Sequence, residues 1–189
     1  LSIGLRIRYI ERSCDTIAKI NMTEDEILKL PYRPCVGIML CNTQGGIFAG
    51  QRLDSAQDAW QMPQGGVEKD EDPKAAAIRE LEEETGIPAQ AVKIIAETED
   101  WIPYDLPHYL VKKLWNGQYR GQKQRWFLMQ FTGDDSMINI QTEIPEFSRW
   151  CWLKSEDLLN KIVPFKRNTY EKVIREFKSQ LDNSKDKNF

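Results

Sequence analysis

The 189-residue sequence contains a single histidine, His108, and this scarcity restricts the catalytic chemistry available to it. One histidine excludes a zinc site built from several imidazoles, and it leaves only one imidazole base for a serine or cysteine nucleophile. We therefore expect any catalysis to depend on carboxylates, and we interpret His108 as a surface or loop residue.

The sequence is also poor in cysteine, in long apolar runs and in excess charge. Its four cysteines include no CxxC pair, so we expect free, mostly buried thiols in a reducing cytoplasm. No run of 18 apolar residues is present, and charged residues interrupt the N-terminal apolar stretch, so neither a membrane span nor a signal peptide is predicted. The net charge of −3 argues against strong sequence-independent nucleic-acid binding, and we expect neither DNA nor a membrane as a partner. Those cysteines are Cys14, Cys35, Cys41 and Cys151.

The chain length predicts one domain, or one domain with tails. Because the first methionine is Met22, residues 1–21 are predicted to be an upstream extension or a poorly ordered tail, and the polar residues 182–189 are predicted to be a frayed tail. Short apolar segments alternate with helical patterns, which predicts an α/β or α+β sandwich. The predicted strands cover 35–41, 47–50, 91–98, 109–114, 125–131 and 147–152, and a short helix opening at Ser155 and a last amphipathic helix from Tyr170 to Leu181 follow.

A glutamate-rich helix is the most informative segment. Asp72 is a candidate N-cap, Pro73 occupies the first helical position and Gly86 stands where a C-terminal cap belongs. At about 100° per residue, Glu80, Glu83 and Glu84 share one face. Clustered carboxylates repel one another, and divalent cations with a preference for oxygen ligands would offset that repulsion. A solvated surface helix is the alternative reading of the same composition.

The wider spacing resembles the Nudix box at all nine of its defined positions, which are Gly65, Glu71, Arg79, Glu80, Leu81, Glu83, Glu84, Gly86 and Ile87. The resemblance implies a Nudix hydrolase with an α/β/α sandwich, in which a mixed sheet lies between helices and the box binds Mg²⁺ or Mn²⁺. It implies metal ligation by Glu80, Glu83 and Glu84, with a backbone carbonyl from Gly66. It also implies that Arg79 and Glu71 brace the loop by ion pairing, with Gly65 and Gly86 shaping it.

Further segments resemble the branch that holds the bacterial RNA pyrophosphohydrolases and the related dinucleoside polyphosphate hydrolases. They are Tyr32-Arg33-Pro34, the Trp60 to Gly66 segment, the Trp101 to Pro107 segment, the Gly121 to Phe127 segment, Pro145-Glu146-Phe147 and Pro164-Phe165-Lys166-Arg167. The similarity runs from about Pro31 to Leu181. The resemblance therefore implies a Nudix hydrolase domain over residues 31–181, with residues 1–30 as an N-terminal extension, disordered or not native. By position, Glu146 resembles the additional acidic residue that joins the metal site or acts as a base. Arg33, Arg52, Phe165 and Lys166 match positions that hold an RNA 5′ end, while Tyr104 either approaches the phosphates or packs in the core.

The charge distribution is consistent with a phosphate substrate. Residues 68–100 hold 11 acidic and 4 basic side chains, whereas residues 108–130 hold five basic side chains and no acidic ones. An acidic metal site beside a basic strip suits a metal-bound polyphosphate with a trailing strand. The strip comprises Lys112, Lys113, Arg120, Lys123 and Arg125.

The hypothesis is a cytoplasmic, metal-dependent pyrophosphohydrolase that converts 5′-triphosphorylated RNA to 5′-monophosphorylated RNA by water attack, promoting mRNA decay. A diadenosine tetraphosphate hydrolase that releases ATP and AMP is the alternative. A Nudix-fold binding module without catalysis is disfavoured, because the three box glutamates are complete. A general nucleotide sanitiser lacks support from the segments around Arg33 and Phe165. The sequence leaves protein partners and the oligomeric state open.

Overall fold

A computed structural model describes residues 22–53 and 59–186, with side chains described as far as residue 182. The predictions for residues 1–21, including Cys14, lie outside the described residues, as do those for 187–189. Within the described part of the chain, no helix is long and apolar enough to cross a membrane.

The strands form one mixed sheet of eight members. The central strands β1 and β7 run parallel to each other, and the remaining pairs are antiparallel. The main order is β3-β2-β1-β7-β5, with β4 paired to β1, β6 to β7 and β8 to β2. The bounds are β1 Tyr32–Cys41, β2 Ile47–Arg52, β3 Trp60–Gln61, β4 Gln64–Gly66, β5 Val92–Glu97, β6 Ile102–Asp105, β7 Gly121–Phe131 and β8 Phe147–Leu153.

Helices cover both faces of the sheet. On one face, α2 packs Ala76, Ala77 and Leu81 against alternate residues of β1 and β7. On the other face, α5 packs Tyr170 and Val173 against the intervening residues of the same strands. This α/β/α arrangement confirms the predicted fold class. The helices are α1 Glu24–Leu28, α2 Pro73–Thr85, α3 His108–Val111, α4 Ser155–Lys161, α5 Arg167–Glu176 and α6 Lys178–Asp186.

Helix α2 begins and ends at the residues that the sequence predicts. The Asp72 side chain accepts hydrogen bonds from the backbone N–H groups of Lys74 and Ala75, and Pro73 follows it. Gly86 ends the helix in the left-handed region, with φ of 68°, and donates its N–H to the carbonyl of Glu82. These caps fix the register of the three glutamates relative to the preceding loop.

Three elements differ from the predictions. Residues 109–114, predicted as a strand, belong to α3 and the turn that follows it, because Pro107 precedes a helical start and Val111 is buried one turn on. The edge strand β6 was not predicted, although its residues alternate between buried and exposed. The single helix predicted from Tyr170 to Leu181 consists of α5 and α6, which break at Phe177.

Residues 22–30 pack on the predicted domain. Thr23 and Glu26 form a reciprocal capping box that starts α1. Ile27, which is 4% exposed, lies in a cluster with Tyr104, Leu106, Val111 and Trp115. Residues 22–30 therefore contribute to the core beneath β6 and α3.

Candidate active site

Arg79 is the central cation of the box. Its Nε and Nη2 donate to the two carboxylate oxygens of Glu71 at 2.8 and 2.9 Å, and Nη2 also donates to the Gly66 carbonyl at 2.9 Å. Its Nη1 donates to Glu80 at 2.8 Å and to Glu83 at 3.3 Å. The bidentate pair lowers the pKa of Glu71. The guanidinium thus ties the loop before α2 to the glutamates on α2, in the arrangement expected of a bracing residue.

The two box glycines leave room for neighbouring charged groups. A Cβ atom on Gly65 would lie 1.8 Å from the carboxylate carbon of Glu80, so that carboxylate occupies the space of the missing side chain. A Cβ atom on Gly66 would lie 2.2 Å from Nη2 of Arg33. The Gly66 carbonyl has two lone pairs and Arg79 uses one of them, which leaves one for another partner.

The carboxyls of Glu80, Glu84 and Glu146 interact strongly in the site. Burial raises the pKa of Glu84 well above its ordinary value, and repulsion from Glu146 and Glu80 and a hydrogen bond with Glu146 add to the rise. Burial also raises the pKa of Glu80, although the hydrogen bond from Arg79 opposes this. Glu84 Oε2 accepts the Gln64 N–H at 3.3 Å, whereas Oε1 is buried without a hydrogen-bond partner.

The third box glutamate occupies the rim of this group. The side chain of Glu83 is 46% exposed and pairs with Arg79, one turn earlier on α2. Among residues 22–53 and 59–186, no three His, Cys, Asp or Glu side chains converge closely enough to hold a metal ion. Glu84 nevertheless interacts electrostatically with Glu80 and Glu146, and all three residues are buried, whereas Glu83 lies at the surface.

Lys166 is connected to the same group through Gln64. Its side chain is not a surface group, since the residue is only 6% exposed. Its Nζ donates to Gln64 Oε1 at 3.0 Å and to Gln61 Oε1 at 3.2 Å. Gln64 therefore contacts Glu84 through its backbone N–H and Lys166 through its side chain.

Buried glutamines extend this polar chain along β7. Gln124 Nε2 donates to Gln64 Oε1 at 3.2 Å and to Gln122 Oε1 at 3.0 Å, and the Tyr104 hydroxyl donates to Gln122 Oε1 at 2.8 Å. We assign no role to these glutamines from the sequence. The sequence does contain a signal for them, because Gln122 and Gln124 are two positions apart and so lie on one face of the strand. Buried polar side chains on one face need hydrogen-bond partners there.

The other predicted substrate residues lie around Tyr104. Its ring is buried, and its centroid is 6.0 Å from that of Phe165, a half-buried ring. Burial raises the pKa of the Tyr104 hydroxyl well above its ordinary value, and the charges of Arg52 and Arg33 oppose this rise. The structure thus brings Arg33, Arg52, Phe165 and Lys166 to one region around Tyr104, and Tyr104 itself packs in the core.

The basic strip is partly engaged in intramolecular contacts. Arg120 pairs with Asp105 and donates to the Leu28 carbonyl, while Arg125 pairs with Glu97 and donates to the Glu99 carbonyl. Lys123 lies over the Trp101 ring. His108 is exposed and lies 3.6 Å from a Glu24 oxygen, remote from the box as expected.

Comparisons with known proteins agree with this geometry. Residues 31–173 match the NUDIX domain family. The chain is 62% identical over 160 residues to an RNA pyrophosphohydrolase of Roseobacter denitrificans, covering 85% of this chain and all of that one. It is 50% identical over 159 residues to an RNA pyrophosphohydrolase of Rickettsia typhi, covering 84% of this chain and 98% of that one. Among solved structures, a C. elegans Ap4A hydrolase has the same fold, with a TM-score of 0.59, 18% identity and coverage of 80% and 98%.

Proposed function

Since this chain belongs to the Nudix family, in the branch of its RNA pyrophosphohydrolase relatives, we propose that it hydrolyses the 5′-triphosphate end of RNA and leaves a 5′-monophosphate. Such a reaction would take place in the cytoplasm and would promote mRNA decay. Neither DNA nor a membrane belongs to this proposal.

The contact that carries the proposal is the one made by Gln64. Its backbone N–H lies 3.3 Å from Glu84, and its side-chain oxygen lies 3.0 Å from the ammonium group of Lys166. A buried group of carboxylates and a buried ammonium group therefore meet at one residue. That pairing suits a polyphosphate, because the anion needs both metal and cationic side chains.

The residues present fit Mg²⁺ or Mn²⁺. The buried Oε1 of Glu84 has no hydrogen-bond partner, and the Gly66 carbonyl retains one lone pair. Both are hard oxygen donors of the kind these cations prefer. Glu80, Glu83, Glu84 and Glu146, with the Gly66 carbonyl, would hold the metal. When bound, the metal neutralises phosphate charge and makes a water more acidic.

The chain's own side chains orient the substrate and the nucleophile. Arg79 holds Glu80, Glu83 and the Gly66 carbonyl at fixed positions. Glu146, the residue immediately before β8, is a candidate base for the attacking water. Phe165 offers a ring on which the first base can stack, a contact of about 1–3 kcal/mol, while Lys166, Arg33 and Arg52 bind phosphate oxygens.

The test is hydrolysis of a short 5′-triphosphorylated RNA in Mg²⁺ by the wild type, by Glu83→Gln and by Glu82→Gln. Glu82 is exposed on the same helix and serves as the matched control. We expect Glu83→Gln to lose about 100-fold or more in rate, because a metal ligand is worth several kcal/mol. Full activity of a folded Glu83→Gln protein would contradict the ligand assignment.

Diadenosine tetraphosphate is the second candidate substrate. The half-buried ring of Phe165, which packs against Tyr104, offers a surface on which a base can stack, and both substrates present a base. Parallel assays separate them. Release of pyrophosphate or phosphate from RNA at higher kcat/KM supports the first assignment. Preferential formation of ATP and AMP supports the second and removes the RNA-specific roles of Phe165 and Lys166.

A further inference from the structure

Trp115 lies against the guanidinium group of Arg33. The Arg33 Cζ atom is 5.3 Å from the centroid of the indole ring, and the indole is 7% exposed. On another side, Arg33 Nη2 fills the space where a Cβ of Gly66 would stand, and Nη1 lies 3.7 Å from Cys35 Sγ. The guanidinium group is thus held between an aromatic face and the backbone of the box loop.

The backbone that carries this indole has an unusual conformation. Trp115, Asn116 and Gly117 have consecutive positive φ angles of 48°, 55° and 70°. A bulky residue in the left-handed region is an outlier that persists only where the surroundings fix it. Here the Gly117 N–H bonds to the Leu114 carbonyl at 3.0 Å, and the Tyr119 ring meets the indole edge-on.

Packing beneath the indole restricts it further. Ile27, Tyr104, Leu106 and Val111 are buried with Trp115 in one cluster. The strained turn and this cluster together leave the indole face directed at Arg33. An arginine side chain in water samples many rotamers, whereas an aromatic face attracts the guanidinium and restricts it while leaving its charge and donors in place.

We infer that Trp115 is a positioning residue for substrate binding, which holds Arg33 over Gly66 so that its guanidinium meets the terminal phosphates of a 5′-triphosphate. The inference rests on the proposed function, because that function supplies the phosphate group that Arg33 would bind. Trp115 itself acts through Arg33 and need not touch the substrate.

The test measures kcat and KM with a short 5′-triphosphorylated RNA in Mg²⁺ for Trp115→Leu, Trp115→Phe, Arg33→Ala and the Arg33→Ala/Trp115→Leu pair. Leu110→Ala is the packing control, since Leu110 borders the same cluster without facing Arg33 in the contacts described. We expect Trp115→Leu to raise KM at least fivefold with kcat within twofold, Trp115→Phe to recover most of the loss, and the double variant to match Arg33→Ala alone.

A second measurement does not depend on activity. The Nε–Hε NMR signal of Arg33, assigned with an Arg33→Lys variant, should carry a ring-current shift in the wild type and in Leu110→Ala. It should lose that shift in Trp115→Leu and retain much of it in Trp115→Phe. An unchanged Arg33 signal in folded Trp115→Leu would overturn the inference.

The kinetic outcomes are equally decisive. A fall in kcat at constant KM, or additive effects of the Arg33 and Trp115 substitutions, would also overturn it. If the wild type hydrolyses neither RNA nor diadenosine tetraphosphate, the proposed function fails. The NMR comparison then still decides whether Trp115 holds Arg33.

Discussion

At the scale of single residues, Glu84 combines deep burial with an unsatisfied oxygen. It is 2% exposed, and Glu80 and Glu146 act on it as like charges. Because its pKa is raised in the folded chain, the folded state binds this proton more tightly than the unfolded chain does. The resulting stability is complete below the unfolded pKa and is lost as the pH rises through the folded value.

We therefore predict that Glu84→Gln stabilises the metal-free protein at pH 8 but much less at pH 5. The neutral amide removes the repulsion and can donate to Glu146. A gain of about 1 kcal/mol would raise the thermal midpoint by about 2–4 °C in a protein of this size. Melting in EDTA at both pH values measures this, with the exposed Glu82→Gln as control. A lower midpoint at pH 8 would contradict the prediction.

Arg79→Lys should weaken metal use without removing the positive charge. Arginine uses its fork to bind Glu71, Gly66, Glu80 and Glu83 at once, and an ammonium group cannot reproduce that geometry. Residues that orient metal ligands typically contribute 10–100-fold. We expect kcat/KM to fall by about that factor and half-saturation to need more Mg²⁺. An unchanged Mg²⁺ titration would show that Arg79 does not orient the ligands.

At the scale of elements, both ends of α2, the helix that carries the box glutamates, are fixed by local signals. Asp72 satisfies two N–H groups of the first turn, and Gly86 supplies the positive φ of the last. Both signals lie within a few residues of the positions they determine. For that reason the cap residues predicted this helix with its correct start and end.

Asp72→Ala should destabilise the protein by about 1 kcal/mol, the usual cost of losing an N-cap side chain. Asp72→Asn keeps an acceptor oxygen and should lower the free energy of unfolding by only about a few tenths of a kcal/mol. Urea unfolding monitored by circular dichroism compares the two variants. Equal midpoints for the alanine and asparagine proteins would mean that the cap does not limit stability.

Elements that depend on distant partners were harder to predict. Residues 109–114 form a short segment of four mainly apolar side chains and two lysines, and such a segment fits a strand or a helix equally well until its packing is known. The glutamine chain from Gln64 to Gln122 needs the parallel register of β1 with β7 and the antiparallel register of β1 with β4. Neither register is encoded locally, so the sequence pointed to the box residues but not to the network behind them.

At the scale of the whole molecule, the residues assigned to substrate binding pack on a hydrophobic cluster whose members come from distant parts of the sequence. Ile27 from α1, Tyr104 from β6 and Trp115 after α3 share it, and Phe165 packs on its edge. The Leu28 carbonyl also accepts a hydrogen bond from Arg120. Residues 22–30 thus support residues assigned to substrate binding, although they precede the family match.

Ile27→Ala should therefore lower both stability and substrate affinity. Removing a buried isoleucine side chain costs about 2–5 kcal/mol in a well-packed core, and we expect the lower end because α1 is a short surface helix. The cavity would loosen Tyr104 and Trp115, so KM for 5′-triphosphorylated RNA should rise while kcat changes little.

Leu28→Ala is the matched control on the same helix, since Leu28 is 54% exposed and its loss should cost under about 0.5 kcal/mol. Thermal melting and steady-state kinetics on both variants decide the matter. If Ile27→Ala has the same melting temperature and the same KM as Leu28→Ala, the packing of α1 does not affect substrate binding and only covers the edge of the domain.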